Sequence, residues 1–186
     1  MRICFAGSHS TGKTTILNLI RESNVLADHE FITEITRGMA KDRVNLNGDN
    51  DSQIWIFNEH LRLSKNDNCI MDRSIFDPIA YAKYLYINSN KISFQTLQYG
   101  SMLKYAIVPS YDIIFYIPIE IPLVDDGFRE STDYKFRDWI DKEIKRSVEE
   151  FQKEYKLVEI SGTISERINK CISTIQEIKE AKEKLI

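Results

Sequence analysis

Gly7-Ser8-His9-Ser10-Thr11-Gly12-Lys13-Thr14 follows the pattern G-x-x-x-x-G-K-[ST] without a gap. Glycines at both ends let a backbone close around an anion, where successive N–H groups and a helix N-terminus present positive potential. Lys13 adds a mobile full charge for the β- and γ-phosphates, and the Thr14 hydroxyl is a hard oxygen suited to Mg2+. At average residue usage a random chain of this length holds the pattern with a chance of roughly 1% or less. The expected ligand of Gly7, Ser8, His9, Ser10, Thr11, Gly12, Lys13, Thr14 and Thr15 is therefore a nucleoside triphosphate, with ATP the donor expected. His9 invites a catalytic reading, but the x positions of such loops vary freely and nothing else in the sequence supports one.

A second constellation is Asp72-Arg73-Ser74, which follows the short apolar run Asn68-Cys-Ile-Met71. In parallel sheets, ligands bind beyond the carboxyl ends of the strands, where the phosphate loop also sits. Asp72 is thus expected to join Thr14 at the metal, and Arg73 to hold an acceptor or the transferring phosphate. The alternative for such a pair is a surface ion pair.

These residues need elements to position them. Arg2–Ala6 reads as a strand stopping at Gly7, and from Gly12 the chain reads as a helix with Ile16, Leu17, Leu19 and Ile20 on its apolar side. Glu30–Ile35 reads as a strand or a loop leading into a helix near Thr36–Arg43, and Asn45–Asn50 as a turn. A helix over Gln53–Leu63 is expected with Asp51 or Ser52 as cap. Further helices are expected from about Pro78, over Ile92–Val108, over Tyr134–Tyr155 and after Ser161-Gly162-Thr163. Strands are expected at Tyr111–Ile117 and Leu157–Ile160. Strands alternating with helices imply a parallel sheet covered on both faces.

The composition fits that reading: 186 residues suit a single domain, 1–186, and 25 Lys+Arg against 28 Asp+Glu disfavour a polycationic nucleic-acid binder. No run of about 18 apolar residues is present, which excludes a transmembrane helix. Without a signal-peptide pattern the expected location is cytoplasmic. Cys4, Cys69 and Cys171 lie apart among apolar residues and are expected as packed thiols. An N-K-x-D base-reading motif is missing, since Asn169-Lys170 runs into Cys171-Ile172. Asp72 is followed by Arg73 rather than the glutamate of a motor ATPase, so an NTP-dependent switch or motor is disfavoured.

The loop GSHSTGKTT, the stretch MDRSIFDPIAYAKYL and DDGFREST before a long helix together resemble the P-loop nucleoside and nucleotide kinases. The likeness is to the group holding nicotinamide-riboside-kinase-like domains and phage-type deoxynucleoside monophosphate kinases. It implies an α/β three-layer sandwich, a five-stranded parallel sheet with helices on both faces, and a lid at about 125–137 whose Arg129 closes on the phosphates. It also implies Arg137 as a second lid contact or a solvated helix position, Glu34, Arg37, Gln53 and Arg73 as acceptor-binding groups, and Gly162 beside the adenine or in an ordinary cap. ATP and Mg2+ are the implied cofactors. Lys13, Arg129, Asp72 and Arg73 form the implied catalytic set. Arg37, Arg43 and Arg73 near the acceptor favour a (deoxy)nucleoside monophosphate. The alternative is a nucleoside or nicotinamide riboside, whose hydroxyl would call on Glu34 or Asp72 as base. Trp55, Phe57 and Tyr81 permit base stacking, although core packing is the commoner use. Expected partners are one small nucleotide or nucleoside substrate, with no membrane, nucleic acid disfavoured and a homodimer open.

Overall fold

A computed structural model describes residues 1–39, 43–123 and 133–184. Five parallel strands form one sheet in the order β2-β3-β1-β4-β5, with β1 Arg2–Ala6, β2 Glu30–Ile32, β3 Cys69–Met71, β4 Ile113–Tyr116 and β5 Lys156–Glu159. The helices are α1 Lys13–Glu22, α2 Asn50–Leu63, α3 Phe76–Ser89, α4 Phe94–Ile107, α5 Tyr134–Glu150 and α6 Ile164–Glu183.

Strand alternation sorts the core into two layers. Ile3, Phe5, Ile70, Ile113 and Phe115 pack with Ile16, Leu17 and Ile20 of α1 and Cys171 and Ile175 of α6. Their neighbours Cys4, Ala6, Cys69, Met71, Ile114 and Tyr116 pack the other way, with Phe57 of α2, Phe76 and Ala80 of α3, and Phe136, Ile140 and Ile144 of α5. A period of two along strands covered on both faces yields this three-layer arrangement. All three cysteines are buried and free, as their apolar settings predict.

The boundaries differ from the sequence reading in a few places. Downstream of β2 the chain makes a 3-10 turn at Ile35–Gly38. Asp49, not Asp51 or Ser52, caps α2: its carboxylate accepts from Ser52 N at 2.8 Å, while Ser52 Oγ accepts from Asp49 N at 2.9 Å. Ser52 is thus the third-position partner of a reciprocal cap, a role that serine shares with the cap itself. Helix α3 begins two residues before Pro78, and α5 ends at Glu150. Thr163 and Glu166 form a second reciprocal cap that starts α6.

Among the described residues, no helix is long and apolar enough to cross a membrane. Arg129 and most of the expected lid lie outside the described residues, as does the Arg37 side chain. The described end of that segment, Asp133–Arg137, caps and opens α5, with Asp133 accepting from Lys135 N and Phe136 N.

Candidate active site

The loop between β1 and α1 is shaped at both ends by glycine. Gly7 has φ 147°, and a Cβ there would stand 2.4 Å from the Ile117 carbonyl oxygen, so only glycine fits against the end of β4. Gly12, at φ 92°, is the left-handed cap of α1, and no side chain caps that helix or places an acid in its first turn. Its first N–H groups are left for an anion. Ser10 adds a non-glycine φ of 58° between them.

Two buried arginines hold the loop from outside. Arg137 donates from Nε to His9 O at 3.1 Å, from Nη2 to Ser10 O at 2.8 Å and from Nη1 to Ile121 O at 2.9 Å. Arg167 donates from Nη1 to Thr11 O at 3.1 Å, from Nε to Gly162 O at 2.8 Å and from Nη2 to Glu120 Oε2 at 2.5 Å. A trans peptide turns its N–H opposite its C=O. Drawing the carbonyls of residues 9, 10 and 11 outward therefore directs the N–H groups of Ser10, Thr11 and Gly12 the other way. Arg137 is thus neither a solvated position nor free to reach outward: it is 1% exposed and bound to loop carbonyls. Arg167 also ties the Gly162 turn to the loop.

Lys13 folds into the loop, donating to Gly7 O at 2.7 Å and Ser8 O at 2.5 Å. Burial and the nearby Arg73 charge pull its pKa down to about 7, against the opposing pull of Asp77, Asp72 and Glu34. Ser8 Oγ donates to Arg137 O, and the His9 ring packs with Tyr81 and Phe136, its Nδ1 3.0 Å from Tyr81 Oη. Thr15 is exposed on the first turn of α1.

The two predicted metal ligands meet. Thr14 Oγ1 donates to Asp72 Oδ2 at 2.6 Å, and Asp72 is 1% exposed, its carboxyl pushed up in pKa by burial. One hydroxyl and one carboxylate suit Mg2+, which takes its remaining ligands from phosphates and water. Among the described residues no cluster of three His, Cys, Asp or Glu side chains forms a protein-only cage.

Arg73 has different partners from Asp72. Its Nε and Nη2 both lie 2.7 Å from Glu34 Oε1, its Nη1 lies 3.4 Å from Asp77 Oδ1, and its guanidinium stands 5.5 Å from the centre of the Tyr81 ring. Burial works against the Arg73 charge, but Glu34, Tyr81, Asp77 and Asp72 outweigh it and its pKa stands above the ordinary value. Glu34 and Arg73 line a cleft together with Ile35, Thr36, Gln53, Ile56, His60 and Tyr81. Trp55 and Arg43 instead line a separate open groove, where Arg43 lies 3.8 Å from Asp49, and Phe57 is core.

Three residues of this region carry no assignment in the sequence reading. Asp77 is fully buried and accepts from Gly7 N at 3.2 Å and from Ser74 N and Oγ at 3.1 and 2.7 Å, so it joins the Asp72-Arg73-Ser74 turn to the phosphate loop. Its place four residues after Arg73, at the start of a helix, was the available signal. Arg167 and His60 offered none, because each acts across the fold.

The family model for an AAA domain matches residues 2–167, and the chain belongs to that family. Its fold is that of the P-loop nucleoside and nucleotide kinases. Deoxyadenosine kinase from M. mycoides, solved with the products dCMP and dCDP, superposes with a TM-score of 0.72 at 15% identity over 96% of this chain and 100% of its own. NadR protein in complex with NR gives 0.69 at 20% identity, over 95% of this chain and 50% of its own. Thymidylate kinase from Ehrlichia chaffeensis gives 0.62 at 17%, over 95% and 98%. No curated protein matches the sequence significantly.

Proposed function

We propose that this protein transfers the γ-phosphoryl group of ATP to a hydroxyl of a nucleoside-type acceptor bound in the Glu34–Arg73 cleft. The observation that carries the reading is the different partners of two consecutive residues at the end of β3. Asp72 bonds Thr14 on the donor side, while Arg73 bonds Glu34 on the acceptor side. A single turn thus sets donor and acceptor subsites side by side, which phosphoryl transfer requires above all else.

In the reaction the acceptor oxygen bonds to the γ-phosphorus, the bond to the β–γ bridging oxygen breaks, and ADP leaves. Glu34 takes the hydroxyl proton, held in place by Arg73. Lys13 leaves the loop carbonyls for the phosphates, and Arg129, implied by the family resemblance, closes on the transferring group. Thr14 and Asp72 would hold Mg2+, which when bound neutralises charge on the β- and γ-phosphates. Gly162, tied to the loop through Arg167, would sit beside the adenine.

A hydroxyl acceptor is preferred to a monophosphate because two of the three arginines invoked for a phosphate are engaged elsewhere: Arg73 with Glu34 and Asp77, Arg43 toward Asp49. The monophosphate is the second reading. It is favoured by the position of Arg37 on the 3-10 turn whose Ile35 and Thr36 line the cleft. A panel of nucleosides and nucleoside monophosphates, each incubated with ATP and Mg2+ and followed by ADP release, tests both. Release above the hydrolysis background with nucleosides supports the proposal, and release with monophosphates alone supports the second reading.

A further inference from the structure

Helix α2 presents one stripe to the acceptor cleft, Gln53, Ile56 and His60, spaced i, i+3 and i+7. Gln53 and His60 are each 2% exposed. Gln53 Oε1 and both ring nitrogens of His60 have no hydrogen-bond partner among the described residues. Leaving a buried donor or acceptor without a partner is destabilising, and here three such atoms lie on one face of one helix. Buried polar groups without partners in a cleft are arranged for a ligand that supplies them.

The two ends of the stripe differ. His60 lines both the main cleft and its inner extension, together with Ile32, Met71, Asp72 and Arg73. Gln53 lines the main cleft only. Seven residues of helix separate them by about 10 Å, so His60 stands at the reacting end and Gln53 toward the outer end, with apolar Ile56 between. Burial, and then the Arg73 charge, hold the imidazole pKa down to about 3, so the ring is neutral and offers one donor and one acceptor. A hydroxyl can donate or accept, so it can pair with either ring nitrogen.

We propose that His60 is a specificity-determining residue of this site, hydrogen-bonding a non-reacting sugar hydroxyl of the acceptor. The inference rests on the nucleoside reading of the cleft. It supplies a partner for one of the two unpaired ring nitrogens, neither of which the transfer chemistry uses.

The test compares 2′-deoxynucleosides with 2′,3′-dideoxynucleosides as acceptors, for wild type, His60→Phe and His60→Gln. Wild type should prefer the hydroxylated acceptor. His60→Phe should lose about 10- to 100-fold in kcat/KM with it and change little with the dideoxy compound, and His60→Gln should recover part of the loss. Equal losses on both acceptors, or none, overturn the role of His60 while leaving the kinase reading intact; a wild type inert toward every nucleoside overturns both. Should His60→Phe fail to fold, imidazole NMR of the wild type decides. The chain has three histidines, so substituting His9 and His29 in turn assigns the His60 resonance. Saturation with a 2′-deoxynucleoside should shift that resonance and the dideoxy compound should not; identical shifts overturn the contact.

Discussion

Thr14 and Asp72, 58 residues apart in sequence, are joined by a 2.6 Å hydrogen bond from hydroxyl to carboxylate across the end of β1 and β3. Each supplies a hard oxygen, and Asp72 is held where burial disfavours its charge until a cation arrives. Asp72→Asn should lower kcat by about 100-fold or more, as removal of a preorganised charge does. It should also move the Mg2+ concentration for half-maximal rate upward. An unchanged Mg2+ dependence measured by rate titration would remove Asp72 from the metal site.

Lys13 gives a pH prediction with a definite sign. Its pKa of about 7 in the free protein must rise when triphosphate anions surround the ammonium. Between pH 7 and the higher bound value, ATP binding therefore takes up a proton, and ATP affinity should fall as pH rises above about 7. Calorimetric titrations at pH 8 in two buffers of different ionisation enthalpy measure the uptake directly. Proton release, or none, would contradict the folded-in position of Lys13.

The phosphate loop was fully legible in the sequence because its residues are contiguous and its glycines are demanded by backbone geometry. Its external clamps were not. Arg137 reaches Ser10 from 127 residues away and Arg167 reaches Thr11 from 156, distances at which spacing carries no signal. The amphipathic pattern of α5 correctly gave a helix, yet Arg137 on it suggested solvent or a lid contact. Alternation of strands with helices gave the parallel sheet, and the family resemblance gave its five strands. His60 escaped because its polarity is used inside a cleft that exists only when α2 packs beside the end of β3.

The clamps themselves are testable. Arg167→Ala should weaken ATP binding more than it alters the acceptor KM, since it frees the Thr11 carbonyl and unlinks Gly162 from the loop. Leaving one such buried group unmade should cost stability by about 1–3 kcal/mol, read as a lower midpoint in denaturant unfolding. Equal losses for ATP and acceptor would show that Arg167 serves the fold at large.

Glu34→Gln keeps the size of the side chain but removes the base. With a nucleoside acceptor kcat should fall by about 100- to 10,000-fold, with acceptor KM little changed. The substitution also removes a charge facing Arg73, so thermal unfolding must accompany the kinetics. A loss confined to KM would make Glu34 a binding group rather than the base.

The most direct measurement identifies where the γ-phosphorus goes. Protein, ATP, Mg2+ and a nucleoside pool are incubated, and products are resolved by mass spectrometry with 31P NMR. The account predicts nucleoside monophosphate and ADP in equal amounts, both lost in Lys13→Ala. Nucleosides left untouched, or ADP with free phosphate alone, would contradict it.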